Sequence, residues 1–210
     1  MKKILACLAA LAAMIAAGGA QAQKVSVSVG YASESLPSFA VVGGSQVISP
    51  NLTGFYLNAQ YTYNFSTHWG VTAGLGGRYN TRDYPSYLTM IPATTQEMQI
   101  VVDVPVLLSF TVPMSDYADI SLFVGPMVSF GAIGTSTITE SLYGNSVKAD
   151  WYGPLALYKR LNVQGTGGIA IDVKHLRLFG GYSMGILNLS PAEGKTINTS
   201  ALYLGLGVTF

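Results

Sequence analysis

The sequence predicts an all-β protein, an eight-stranded antiparallel up-and-down transmembrane β-barrel, and three observations carry that prediction. Half of the 210 residues are apolar, but only 10% are charged, against a usual charged share of about 25%. Beyond the first 22 residues no apolar run approaches the roughly 20 residues that a membrane helix needs. Apolar side chains instead alternate with polar or small ones in eight separate segments, as expected of strands with one face in lipid and the other in a crowded lumen.

The chain opens Met1-Lys2-Lys3, runs through apolar residues Ile4 to Ala17 and reaches the small-x-small sequence Ala20-Gln21-Ala22. This reads as a secretory signal peptide, residues 1–22, cut after Ala22, which leaves residues 23–210 as one outer-membrane β-barrel domain. Cys7 is the only cysteine and lies in the leader, too near the N-terminus for a lipid-attachment box. The mature chain is thus expected to lack disulfides, thiol nucleophiles and cysteine metal ligands. Without Lys2 and Lys3 it has 9 basic and 10 acidic residues, a net charge of −1, and no basic patch suited to nucleic acid.

In the first predicted strand Val25, Val27, Val29 and Tyr31 oppose Ser26, Ser28 and Gly30. In the second, Phe55, Leu57, Ala59, Tyr61, Tyr63 and Phe65 oppose Tyr56, Asn58, Gln60, Thr62 and Asn64, and in the third Trp69, Val71, Leu75 and Tyr79 oppose Gly70, Thr72, Gly74, Gly76 and Arg78. The fourth sets Val102, Val104, Val106, Leu108 and Phe110 against Asp103, Pro105, Leu107 and Ser109; the fifth sets Ile120, Leu122, Val124, Val128 and Phe130 against Asp119, Ser121, Gly125 and Ser129. The sixth, Leu161 to Val173, turns Asn162, Gln164, Thr166 and Asp172 inward, and the seventh, Leu176 to Leu187, turns Arg177, Ser183 and Gly185 inward. In the eighth, Leu202, Leu204, Leu206, Val208 and Phe210 face lipid and Ala201, Tyr203, Gly205, Gly207 and Thr209 the lumen.

Short connections, Ser66-Thr67-His68, Pro113 to Asp116 and Lys174-His175, alternate with long ones, about Ser33 to Leu52, Asn80 to Gln96, Gly131 to Arg160 and Asn188 to Thr199. In outer-membrane barrels the short turns are periplasmic and the long loops extracellular. Gly74-Leu75-Gly76-Gly77 and Gly165-Thr166-Gly167-Gly168 fall inside strands, where glycines leave room in the lumen and let strands bend; neither opens a helix as a phosphate-binding loop must. The two histidines, His68 and His175, sit in short turns without a nucleophile beside them, so no catalysis, metal or cofactor is expected.

Three residue sets are candidate sites. Arg78, Glu97, Asp103, Asp119, Asp172 and Arg177 share the inward parity and form a candidate lumen charge network. A two-residue turn at 174–175 sets Asp172 opposite Arg177, with Asp119 near the same end, while Arg78 and Glu97 flank an outer loop. Such pairs satisfy one another and plug a narrow barrel. Leu206, Val208 and Phe210 form a candidate C-terminal assembly signal for the barrel-insertion machinery, Phe210 serving equally as an aromatic-belt residue. Trp151, Tyr152 and Tyr158 are candidate loop recognition residues for a surface glycan or protein, since aromatic side chains favour recognition surfaces and loops carry function. They suit a membrane interface as well.

Asp103-Val104-Pro105-Val106-Leu107-Leu108-Ser109-Phe110, Phe123-Val124-Gly125-Pro126 and Gly181-Tyr182-Ser183-Met184-Gly185-Ile186-Leu187-Asn188 resemble strands of the PorT-like outer-membrane barrels of Bacteroidetes. The chain departs from that family in having Asp103 where Glu is usual and Ser109 where a basic residue is common. The resemblance implies fold and location but no single activity. The expectation is therefore a monomer in outer-membrane lipid with a structural or surface-recognition role. The alternative is a narrow pore or an accessory barrel in transport or protein export.

Overall fold

The computed structural model describes residues 23–37, 41–42, 45–46, 50–88, 91–153, 156–191, 194 and 196–210. The expected leader lies outside the described residues. The elements are β1 (Gln23–Ser35), β2 (Val41–Val42), β3 (Ser45–Gln46), β4 (Leu52–Asn64), β5 (Trp69–Leu88), β6 (Ile91–Ser115), β7 (Ala118–Glu140), β8 (Ser146–Asp150), β9 (Leu161–Val173), β10 (Leu176–Gly185) and β11 (Ser200–Thr209).

Eight of these strands close a ring. The antiparallel pairings run β1–β4–β5–β6–β7–β9–β10–β11 and return from β11 to β1, so no strand of the ring keeps a free edge along its shared length. Alternation explains the arrangement: Val29, Phe55, Leu57, Val124 and Leu206 stand exposed on the outside, where the solvent is lipid, while Ser28, Thr62, Asp103, Ser129 and Asp172 are buried inside. The seam between the chain ends is stitched by Phe210 N–H donating to Val25 O at 2.8 Å and Val25 N–H donating to Phe210 O at 3.1 Å. The β9–β10 turn is the two-residue connection that the sequence predicts, with Lys174 at φ 54°. The glycine segments do lie within strands, and lumen rings come close to strand glycines: a Cβ at Gly168 would come within 2.5 Å of Phe123, and one at Gly205, on β11, within 2.7 Å of Phe179.

The strands are unequal. β5, β6 and β7 have 20, 25 and 23 residues, whereas β10 and β11 have 10 each. This corrects two expected loops. Asn80 to Gln96 is mostly strand, the upper halves of β5 and β6, and Gly131 to Arg160 contains the rest of β7 and all of β8. β8 pairs with Thr135–Thr139 of β7 above the point where β9 leaves it. Together β5, β6, β7 and β8 form a wall standing above one side of the barrel.

The outward residues show where lipid stops. Tyr79, Ile100 and Ile133 are neighbours in register, and the rows above them read Thr81-Met98-Thr135, Asp83-Gln96-Thr137 and Pro85-Thr94-Thr139. β8 continues the rows with Asp150, Lys148 and Ser146. Val and Leu give way to Thr, Gln and charge within two rows, as expected at the border of an apolar band. A register shift on β7 marks the same border: Ile100 pairs with Ile133 but Val101 with Gly131, so Ala132 is an extra residue. Such a bulge re-aims the strand beyond it. Below it odd-numbered Ser129 and Gly131 are buried; above it even-numbered Gly134 and Ser136 are. Arg160 clamps the bulge, Nη1 donating to Gly131 O and Ala132 O at 3.2 Å each, with its guanidinium 4.9 Å from the Tyr152 ring centre.

Candidate functional site

Of the three predicted residue sets, the aromatic set moves furthest from its expected role. Trp151 is fully buried and Tyr158 nearly so, packed with Leu36, Leu52, Leu189 and Ile197 into an apolar lid. The ring centres of Trp151 and Tyr158 are 5.0 Å apart, and Tyr158 Oη donates to Pro37 O at 2.8 Å. Gly134 is needed beneath, since a Cβ there would lie 2.7 Å from the indole. Tyr152 is half-buried and accepts from Gln99 Nε2 at 3.3 Å. Burial pushes the Tyr152 and Tyr158 hydroxyls above the usual tyrosine range. Trp151 and Tyr158 therefore face inward as the core of a lid and are not a surface offered to a partner. Loop aromatics that meet other loops bury themselves, a long-range outcome that spacing does not encode. The side chain of Tyr84, on β5, is buried too and donates to Glu97 Oε1 at 3.1 Å.

Under the lid lies an upper layer of charge. Arg78 donates through Nε to Asp103 Oδ2 at 2.7 Å, through Nη2 to Asp103 Oδ1 at 3.1 Å and through Nη1 to Glu34 Oε2 at 2.9 Å. Asn80 Nδ2 and Ser129 Oγ donate to Glu34 and Asp103 in turn. Glu97 does not join Arg78. It accepts from Arg82 Nε at 2.5 Å, and Arg82 Nη1 reaches Leu36 O and Pro50 O, tying the first outer connection to the wall. Glu34 and Arg82 were not foreseen. The β1 parity continued through Ala32 points Glu34 inward, but Arg82 fell in a segment expected to be loop.

Beneath Arg78 is an aromatic layer. Its guanidinium lies 5.7 Å from the Tyr203 ring centre, within cation–π range, and Tyr56 meets Tyr203 and Phe179 edge-on at 5.3 and 5.4 Å. A lower layer of charge follows near the short turns. Asp172 and Arg177 face one another across the turn as expected, joined through Nε at 2.7 Å and Nη2 at 2.9 Å. Asp119 lies beside Asp172 in register but is paired with Lys24, Nζ to Oδ2 2.5 Å, a partner the sequence reading did not identify. Lys24 Nζ is also 4.0 Å from Asp172.

The remaining positions are plain. Leu206, Val208 and Phe210 point outward on the closing strand. His68 is exposed over Phe110 at 5.9 Å between ring centres, and His175 Nδ1 lies 3.0 Å from Thr209 O. Among the described residues no three His, Cys, Asp or Glu side chains gather as a metal site would require.

A closed antiparallel ring with a lipid-facing belt and a lumen crossed by charged and aromatic layers defines a small transmembrane β-barrel. The chain belongs to the family of outer membrane protein beta-barrel domains, whose model matches residues 4–210. No curated protein matches the sequence. Among solved structures it is similar to Ail, the attachment invasion locus protein of Yersinia pestis, at 16% identity over 90% of this chain and 100% of that one, with a TM-score of 0.48. Neisserial surface protein A follows at 13% over 92% and 100%, TM-score 0.42, and OprG from Pseudomonas aeruginosa at 13% over 91% and 98%, TM-score 0.40.

Proposed function

We propose that this barrel is a non-conducting, non-catalytic outer-membrane scaffold that presents a pre-ordered extracellular wall to a protein or glycan partner. The observation that carries the reading is the outward face above the lipid belt. The rows through Thr135, Thr137 and Thr139 continue onto β8 as Asp150, Lys148 and Ser146, a polar sheet face of half-buried and exposed side chains above the apolar belt. Leu142 and Tyr143, highly exposed, crown its tip. The lid, the upper charges and the aromatic layer stacked across the lumen favour a plug over the conducting alternative. Trp151, Tyr152 and Tyr158 have in this reading a supporting role, holding the wall from behind.

The narrower PorT-like resemblance fits here as well, since Asp103, the acidic residue of its strand motif, is the one that grips Arg78. The same reading keeps the chain a monomer in outer-membrane lipid, with the leader removed on export and Leu206, Val208 and Phe210 read by the insertion machinery. It is tested by changing Thr135, Thr137 and Thr139 together to Glu and screening intact cells against defined surface glycans and proteins. The variant is expected to insert, to keep the heat-dependent gel shift of a closed barrel and to lose a partner that the parent binds. A variant that keeps every interaction of the parent removes the wall from the function.

A further inference from the structure

The lumen between the aromatic layer and the lower charges is not filled. A cavity of about 90 Å³ remains there, reaching Asn64, Thr111 and Lys24 toward the short-turn end. At roughly 10–15 Å³ for each enclosed water, it has the capacity of about six to nine waters, comparable to one six-membered sugar ring. Its two walls differ. On one side the rings of Phe123, on β7, and Phe179, on β10, border the cavity, their ring tips close to Gly168 and Gly205. On β4, β5 and β6 the wall carries the amides and hydroxyls of Asn58, Gln60, Thr62, Thr72 and Ser109 beside Pro105 and Leu107.

Within this space three polar atoms have no protein partner among the described residues. They are Tyr56 Oη, Asn58 Oδ1 and Ser109 Oγ, and both Tyr56 and Ser109 are buried. Buried polar groups left unmatched are costly, so a site of this kind favours a guest that brings hydrogen bonds. The charges at both ends are already matched: Arg78 holds Asp103, Arg177 holds Asp172 and Lys24 holds Asp119. A charged guest would have to break one of these pairs or enter unpaired, which the confined site disfavours.

The geometry points to a binding site for a single neutral pyranose-like ring, entered from the periplasmic end. Its C–H face would lie on Phe123 and Phe179, and its hydroxyls would donate to Asn58 Oδ1 and exchange hydrogen bonds with Ser109 and Tyr56. An aromatic platform facing an amide and hydroxyl wall suits a ring that is apolar on its faces and polar at its rim. The upper aromatic and charge layers close the far side, so the site is a blind pocket and not a passage. It is separate from the wall above the membrane.

The test uses residues 23–210 refolded in an amine-oxide detergent, which has no sugar headgroup to compete. Methyl β-glucopyranoside is titrated and followed by the tyrosine and phenylalanine ring resonances, with glucuronate and glucosamine as charged counterparts. Saturable binding in the millimolar range is expected, about tenfold weaker for both charged sugars. Asn58→Leu and Phe179→Leu should each weaken it by about tenfold, as a lost hydrogen bond or packing face would, with the heat-dependent gel shift retained. Ser109→Cys, the sole cysteine of the mature chain, should react with a small neutral thiol reagent and be protected by the glucoside. Absence of saturation at tens of millimolar, equal affinity for the charged sugars, or binding indifferent to Asn58→Leu and Ser109→Ala in correctly closed barrels would each overturn the site and leave a water-filled cavity. The wall variant with Thr135, Thr137 and Thr139 changed to Glu should bind the glucoside as the parent does, so the two readings fail separately.

Discussion

Arg78 and Arg177 each grip an aspartate through Nε and Nη2, at almost the same distances and both with little exposure, yet the groups around the two grips differ. Around Arg78 the side chains are nearly inaccessible, 1% for the arginine and 3% for Glu34, with the lid above and Tyr203 below. At the lower end Lys24 and Asp119 are each 28% exposed beside the cavity mouth. The contrast teaches that the same buried pair is a structural keystone where lid and ring seal it alone and a lesser contact where Thr209 and Lys24 also hold the aspartate. The price of removing one partner depends on what remains to satisfy the other.

That contrast can be broken by four substitutions. Arg78→Met should have the largest effect, because it leaves both Glu34 and Asp103 without their cation. Losing one partner of a buried pair costs roughly 3–5 kcal/mol, and the variant should unfold at clearly lower urea in micelles, with much of the loss recovered on combining it with Asp103→Leu. Additive losses in that double-mutant cycle would show that the two side chains do not couple. Trp151→Ala comes next, at about 3 kcal/mol for emptying a large buried site, but its cost should fall on the lid alone. Limited proteolysis should cut the outer connections while the gel shift of the barrel persists; loss of the barrel itself would mean that lid and ring are one cooperative unit.

Arg177→Met should cost about 2 kcal/mol, less than the usual figure for a buried pair, since Asp172 keeps Thr209 and the nearby Lys24. Urea unfolding beside Arg78→Met gives the ranking, and a larger loss at Arg177 would reverse the account of which end is sealed. Lys24→Met is the smallest, under about 1 kcal/mol for a pair open to water. Raising the salt concentration should lower the parent's stability toward the variant's, because exposed charges are screened; a salt-independent difference would place Lys24 out of reach of solvent.

The barrel was legible because its signal is local. Period-two alternation fixes which side of each strand meets lipid, and the lumen pair Asp172–Arg177 follows from a two-residue turn plus parity. The upper network was legible only in half. Arg78 and Asp103 carry inward parity, but their neighbours Glu34 and Arg82 lie where strands run past the membrane, and polar rows above a lipid belt look like loop in sequence. The bulge at Ala132 inverts parity without leaving a compositional trace, so Gly134 and Ser136 could not be placed. Trp151 and Tyr158 were seen but their direction was not, since they are buried by Leu36, Leu189 and Ile197, residues remote in sequence.

The lid also bears on the seam of the ring. Its apolar residues come from the first outer connection, Leu36 and Leu52, from the third, Trp151 and Tyr158, and from the last, Leu189 and Ile197. The β1–β11 seam brings the first of these connections beside the last, so the lid is fastened across the one seam that joins the two ends of the chain. A barrel open at that seam would leave Leu36 and Leu52 without the neighbours that cover them in the finished one.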